Sequence, residues 1–201
     1  SITSKYFTDL GYRLKFGKSN ELKWGPFAGL PEQRANDIHE MFANSDIDAI
    51  FCARGGYGAN RVLPLLDYNL IKENPKIFIG YSDITAMLTS ITQKTSLITF
   101  HGPMLTSYKD SWVEYNYSLM QRVLSGEKFI KIYSPDGLET KILKHGIAHG
   151  PLWGGNMCLL INRLGTNESL NTDGVILFLE DIDEYLYCLL YTSDAADERL
   201  G

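Results

Sequence analysis

"KIFIGYSDITAML", residues 76–88, is the stretch that decides the fold. An apolar run reaches Gly80, and Tyr81, Ser82 and Asp83 then lead into an amphipathic segment. The run Lys76–Gly80 reads as a strand buried on both faces, as in a parallel sheet. The helix begins near Asp83. Ser82 is therefore either an ordinary helix cap, a common place for serine and aspartate, or a nucleophile on a strand-to-helix turn. Such a turn exposes the hydroxyl and offers helix amides and a positive dipole end. The spacing is G-x-S-x-I, with Ile84 where the hydrolase elbow motif has glycine. Taken alone, the stretch favours the cap.

Working outward, strands alternate with helices up to about residue 125. "SKYFTDLG" puts Tyr6, Phe7 and Leu10 on one helical face, with Gly11 as a C-cap. "YRLKF" alternates as a strand does, and residues 17–30 form a loop. "PEQRANDIHEMFAN" opens with proline and acid, and Ala35, Ile38, Met41 and Phe42 fall at helical spacing. "IDAIFCA" is a second buried strand, broken by "RGGYG"; "ANRVLPLLD" reads as a short helix. "LITFHGP" is a third strand, and "SWVEYNYSLMQRVLSGE" the last helix of the unit. This order predicts an α/β fold with a doubly wound parallel sheet of flavodoxin-like or amidotransferase-like kind, over residues 1–125. Residues 126–145 read as a linker. Residues 146–187 read as the start of a smaller, β-rich C-terminal domain, with a helix in "NMCLLINRLGT" and a strand in "GVILFLED".

The "ARGGYG" turn changes the weight on Ser82. It follows a buried strand, so a parallel sheet brings it to the carboxyl edge where Ser82 lies and where ligands bind. Adjacent glycines expose backbone amides, as an oxyanion hole requires; a tight turn is the plainer reading. No G-K-[ST] follows, so a phosphate loop fits poorly. Glu180 ends an apolar strand and could orient a histidine base, although a solvated strand end is commoner. Of the four histidines, His101 leaves a strand at the same edge and is the candidate base from the residues alone. His39 reads as structural, and His145 and His149 as surface residues. The histidines and cysteines lack metal-ligand spacing, so no metal and no cofactor are expected.

A net charge of -5 argues against nucleic acid or an anionic membrane surface as partner. No apolar run approaches the ~20 residues of a membrane span. At 44% hydrophobic residues the chain can bury a core. Cys52, Cys158 and Cys188 form no disulfide framework, which suggests a reducing compartment. The chain opens "SITSKYF" without methionine, and Cys188 to Glu198, within the last stretch 188–201, back-translates to DNA that resembles a sequencing-library adapter. Those residues are expected to lie outside the fold, and the protein is expected to be a fragment ending just after Tyr187.

In combination, "FAGLPEQRANDIHEMFANSDIDAIFCARGGYGANRVLPLLDY", "PKIFIGYSDITAML", "TFHGPM", "LWGGN" and "ILFLEDIDEYLY" resemble the LD-carboxypeptidases, serine peptidases that trim muropeptides. The resemblance implies a Ser–Glu–His triad with Ser82 as nucleophile and Glu180 as the acid. The histidine would lie beyond this sequence, which displaces His101 as base. It also implies an oxyanion hole from the amides of Asp83 and Gly56. Arg54, Trp153 and Asn156 are candidates to line the substrate site; the plainer readings are a loop-anchoring salt bridge for Arg54 and a core aromatic for Trp153. The implied substrate is a murein tetrapeptide losing terminal D-alanine in cytoplasmic cell-wall recycling, by an enzyme that is homodimeric when full length. One branch of the family instead hydrolyses microcin-type aminoacyl-nucleotides, and "ARGGYG" is closer to the carboxypeptidase branch. A glutamine-amidotransferase-like domain would want cysteine in place of Ser82. A non-catalytic α/β ligand-binding domain would need no Glu180.

Overall fold

The structure, a computed structural model, describes residues 2–107, 114–134, 138–185 and 187. Residues 188–201, and with them Cys188, lie outside the described residues. The first half builds α1 (Ile2–Asp9), α2 (Pro31–Ala43), β1 (Ala49–Phe51), α3 (Tyr68–Glu73), β2 (Ile77–Gly80), α4 (Thr85–Thr95), β3 (Phe100–His101) and α5 (Glu114–Leu124). The strands form one parallel sheet in the order β1-β2-β3, with Ile50 opposite Phe78 and Gly80 opposite His101.

Strand β2 is apolar on both faces because both are covered. Successive side chains of a strand point to opposite sides, and Phe78 and Ile79 belong to different core clusters. Phe78 packs with Phe42 of α2, Ile71 of α3 and Ile91 of α4; its ring stacks on Phe42 at 5.9 Å. Ile79 packs with Phe7 of α1 and Met120 of α5. Each such side chain, fully buried, contributes roughly 1.5–3 kcal/mol. Helices on both faces of a parallel sheet make the α/β arrangement expected from the alternation.

The second half builds β4 (Leu152–Asn156), α6 (Met157–Asn162) and β5 (Ile176–Glu180). The two strands pair in parallel, with Asn156 opposite Glu180. This unit docks on α4, which explains why α4 buries polar residues. Arg163 donates from Nη1 to Thr89 Oγ1 (2.5 Å) and to the Ala86 carbonyl (3.2 Å), and from Nη2 to Ser90 Oγ (2.7 Å). The Ser90 hydroxyl donates in turn to Glu168 at 2.8 Å, and Lys94 pairs with the same carboxylate. Thr85 receives the Asn156 amide at 3.0 Å.

Two local expectations differ, and one strand carried none. "YRLKF" forms no strand; residues 12–16 are exposed and no neighbouring strand among the described residues pairs with them. "ANRVLPLLD" gives two 3₁₀ turns, Ala59–Arg61 and Leu63–Leu65, because Pro64 has no N–H to continue a helix. "LWGGN" is a strand. A Cβ on Gly155 would come within 2.6 Å of Thr85 Oγ1, so the glycine lets β4 lie directly on the start of α4. Residues 126–134 and 138–151 carry neither helix nor strand.

Candidate active site

The chain leaves β2 at Gly80, passes through extended Tyr81, and turns sharply at Ser82, whose φ is +61°. A 3₁₀ turn, Ser82–Ile84, continues directly into α4. A left-handed conformation costs a serine roughly 1–3 kcal/mol and persists only where the surroundings impose it. Two features do so. The Ile84 side chain folds back over Gly80, where an added Cβ would stand 2.7 Å from Ile84 Cγ2. The elbow motif's second glycine is thus replaced by an apolar side chain that uses the space the first glycine leaves. Next, the buried Asp83 carboxylate accepts the Ala59 amide at 2.9 Å, joining the elbow to the glycine turn. Ser82 is not a helix cap: its hydroxyl makes no hydrogen bond among the described residues.

The glycine turn lies against the serine. A Cβ on Gly55 would be 3.1 Å from Ser82 Oγ and 3.0 Å from Ser82 Cβ. Gly56 follows with φ +126°. Among the described residues neither the Gly56 amide nor the Asp83 amide is spent on an acceptor. Arg34, reaching from α2, donates to the Gly58 carbonyl at 3.2 Å and holds the far end of the turn. Burial pushes the Asp83 carboxyl above its ordinary range, although the Ala59 amide, Arg34 and the Gly58 amide all favour its charged form. Cys52, behind the turn, is pushed up to about 12 by burial and stays a thiol.

Glu180 ends β5 beside Asn156. Its Oε1 is buried and has no hydrogen-bond partner among the described residues. Burial first, and the Asp181 charge second, raise its carboxyl above the usual glutamate range. Asp181 behaves oppositely. Burial pushes it up, but the Cys158 and Ile182 amides, the Cys158 thiol and Asn156 Nδ2 together leave it below its ordinary value. Cys158, Asp181 and Glu184 bring donor atoms within 4.8 Å of one another, but both Asp181 oxygens already accept protein N–H groups.

The remaining candidates are placed as follows. Asn156 is buried with both polar atoms in use: Oδ1 caps α6 through the Leu159 amide at 3.1 Å, and Nδ2 donates to Asp181. Trp153 is half-buried on β4. Arg54 is exposed and has no ion pair or hydrogen bond among the described residues, so it does not anchor its loop. His101 packs edge-on to Phe178 at 4.8 Å, beside Tyr81; desolvation lowers its pKa, and no hydrogen bond joins it to Ser82 or Glu180. His39 accepts the Asp67 amide at 2.9 Å and is structural. The carboxylate of Asp83 and the guanidinium of Arg34 were not singled out in the sequence; only their approach to residues 58–59 shows that they matter.

A parallel α/β sheet with a strained serine at the carboxyl edge, facing a glycine turn with free amides, defines a nucleophile-elbow protein. The comparisons narrow the class: the LD-carboxypeptidase N-terminal domain matches residues 2–102 and the LD-carboxypeptidase C-terminal domain residues 149–192, so the chain belongs to the LD-carboxypeptidase family. It is 39% identical over 184 residues to the probable murein peptide carboxypeptidase of Bacillus subtilis, covering 90% of this chain and 57% of the relative. It is 32% identical over 187 residues to the murein tetrapeptide carboxypeptidase of Pseudomonas aeruginosa, covering 89% of this chain and 60% of that one. The solved structure of the microcin C7 self-immunity protein MccF without ligand matches with a TM-score of 0.83 at 29% identity, covering 98% of this chain and 68% of MccF. The chain thus spans under two thirds of the length of the two carboxypeptidase relatives. No helix among the described residues is long and apolar enough to cross a membrane.

Proposed function

We propose that the protein is a serine carboxypeptidase that releases terminal D-alanine from murein tetrapeptides. The observation that carries this reading is the Ser82 elbow: a free hydroxyl on a strained turn, against a glycine turn, with the Gly56 and Asp83 amides unspent. Ser82 Oγ attacks the carbonyl between the L-centre and the terminal D-residue as a base takes its proton. The two amides receive the oxyanion. The amine leaves as D-alanine with the returned proton, and water hydrolyses the acyl-enzyme. Glu180 is proposed as the acid that orients a histidine base. Its buried Oε1 without a donor is where an imidazole N–H would be received. Trp153 and Asn156 belong to the substrate side of this reading, Asn156 by holding Asp181 beside Glu180. The proposal includes the division into residues 1–125, linker 126–145 and a second domain over 146–187. It extends to a cytoplasmic, homodimeric enzyme of cell-wall recycling.

The test is D-alanine release from a muropeptide tetrapeptide. This chain is assayed beside the same chain extended by the C-terminal part of the Bacillus relative. The extended protein is expected to turn over, and Ser82→Ala to remove roughly 10⁶ in kcat, the scale for losing a triad member. Turnover that survives Ser82→Ala would defeat the assignment; robust turnover by the unextended chain would return His101 to consideration as the base.

A further inference from the structure

We propose that Arg54 receives the terminal carboxylate of the substrate, so that the glycine turn is a carboxylate subsite as well as an oxyanion site. The proposal rests on the peptidase reading above and adds what makes it act only at chain ends. Arg54 is the last residue before the paired glycines and projects from the carboxyl end of β1. A guanidinium offers five donors in a planar fork matched to a carboxylate. Here none of them is used among the described residues. The turn does not need Arg54 for its own shape, because Asp83 holds it through Ala59 and Arg34 through Gly58.

The position suits the task. Arg54 Nη2 lies 3.9 Å from where a Cβ on Gly56 would stand, so the guanidinium folds over the residue whose amide is free. On the same turn a Cβ on Gly55 would stand 3.1 Å from the Ser82 hydroxyl oxygen. In a substrate ending –CO–NH–CHR–COO⁻, the carboxylate carbon is three bonds from the scissile carbonyl carbon, about one residue's length, ~3.8 Å. Arg54 stands two residues before Gly56, and its Nη2 at 3.9 Å from that residue's Cβ position is within reach of a carboxylate so placed. The acid on the turn's own side, Asp83, is buried and faces Arg34 and the Ala59 and Gly58 amides, whereas Glu180, Asp181 and Glu184 come from the second unit. They would repel a terminal carboxylate placed on their side, so the charges orient the substrate with its free end toward the turn. An internal peptide bond has no carboxylate to offer Arg54, which makes the subsite a selector for terminal residues.

The experiment reads binding, in a Ser82→Ala background that prevents turnover. Calorimetry compares the tetrapeptide L-Ala-γ-D-Glu-L-Lys-D-Ala as free acid with its C-terminal amide. A charge-assisted pair predicts that the acid binds roughly ten- to a hundredfold more tightly. Arg54→Met should bring that ratio close to one by weakening the acid alone, and Arg54→Lys should keep part of it. Melting curves matching the parent's confirm that each variant is folded. A ratio unchanged by Arg54→Met overturns the proposal while leaving the muropeptide reading intact, as does an equal loss on both peptides. Binding of neither peptide by the parent overturns the muropeptide reading, and the subsite with it.

Discussion

Asp83 and Glu180 are both carboxylic acids raised above their ordinary range by burial, yet they are built into the molecule in opposite ways. Asp83 is surrounded by groups that favour its charge: the Ala59 and Gly58 amides and Arg34. Its work is architectural, since those same groups carry the glycine turn. Glu180 has an acidic neighbour instead of a cation, and one buried oxygen without a donor among the described residues. An unpaired buried acceptor forfeits about 1–3 kcal/mol and is rarely kept without a reason. The comparison separates an acid that holds a site from an acid with a lone pair to spare.

The same contrast divides the two units, and Arg163 is the test of how they are joined. It is buried, fixes three acceptors on α4, and approaches Glu168 at 3.8 Å. Arg163→Met should cost about 3 kcal/mol, because the Thr89 and Ser90 hydroxyls and Glu168 lose a buried charged partner. Amide exchange followed by mass spectrometry should show protection lost first over 152–180, with β1 and β2 retained. Simultaneous loss over both units would mean that they form one cooperative core.

Asp83→Ala should act on the other side of the comparison with a smaller effect on stability, about 2 kcal/mol, from the Ala59 and Gly58 amides left without their acceptor. Its effect on catalysis should be larger in proportion. A displaced Gly56 amide removes one oxyanion donor, worth roughly 10²–10³ in kcat. Chemical denaturation and D-alanine release, measured on one extended protein, check both halves. Full activity with reduced stability would show that Asp83 supports the fold but not the oxyanion turn.

The parallel sheet was legible because its strands are apolar on both faces and separated by helical periods. "KIFIG" and "IDAIF" have no other reading of comparable quality. The serine's place on a turn was legible from Gly80 and the acid after it. Its freedom from a capping role was not, since that depends on φ at Ser82 and on which hydroxyl meets which amide. Strand β4 was hidden by Gly154 and Gly155. Glycines weaken a strand's signature in sequence, and here at least Gly155 is required by contact with Thr85, 70 residues earlier in the chain. Arg34 and the Asp83 carboxylate were illegible for the same reason: their partners are set by the packing of α2 and the elbow around one turn.

Glu180→Gln gives the smallest effect and the sharpest form of the comparison. Below the ordinary glutamate pKa, about 4.3, Glu180 is protonated in both the folded and the unfolded chain and contributes no difference. Its folded pKa is raised, so as pH climbs through the interval between the two values the unfolded chain ionises first. Folding stability therefore falls across that interval, and above it the folded protein carries the whole cost of the charge. Glutamine removes the charge and keeps the shape. At neutral pH the variant should be slightly more stable than the parent, by at most about 0.5 kcal/mol. The advantage should fade as pH is lowered toward about 4. Activity in the extended protein should fall at the same time, because the neutral side chain no longer stabilises a protonated imidazole. Asp83→Asn is the control: its raised pKa predicts a similar relief of buried charge, but asparagine also gives up the charge that Arg34 meets and weakens the acceptor of the Ala59 amide, so the net change should be a loss of stability and not a gain. Thermal melts of the three proteins across that pH range decide the matter. A stability gain from Asp83→Asn as large as that from Glu180→Gln would erase the distinction between the holding acid and the poised one.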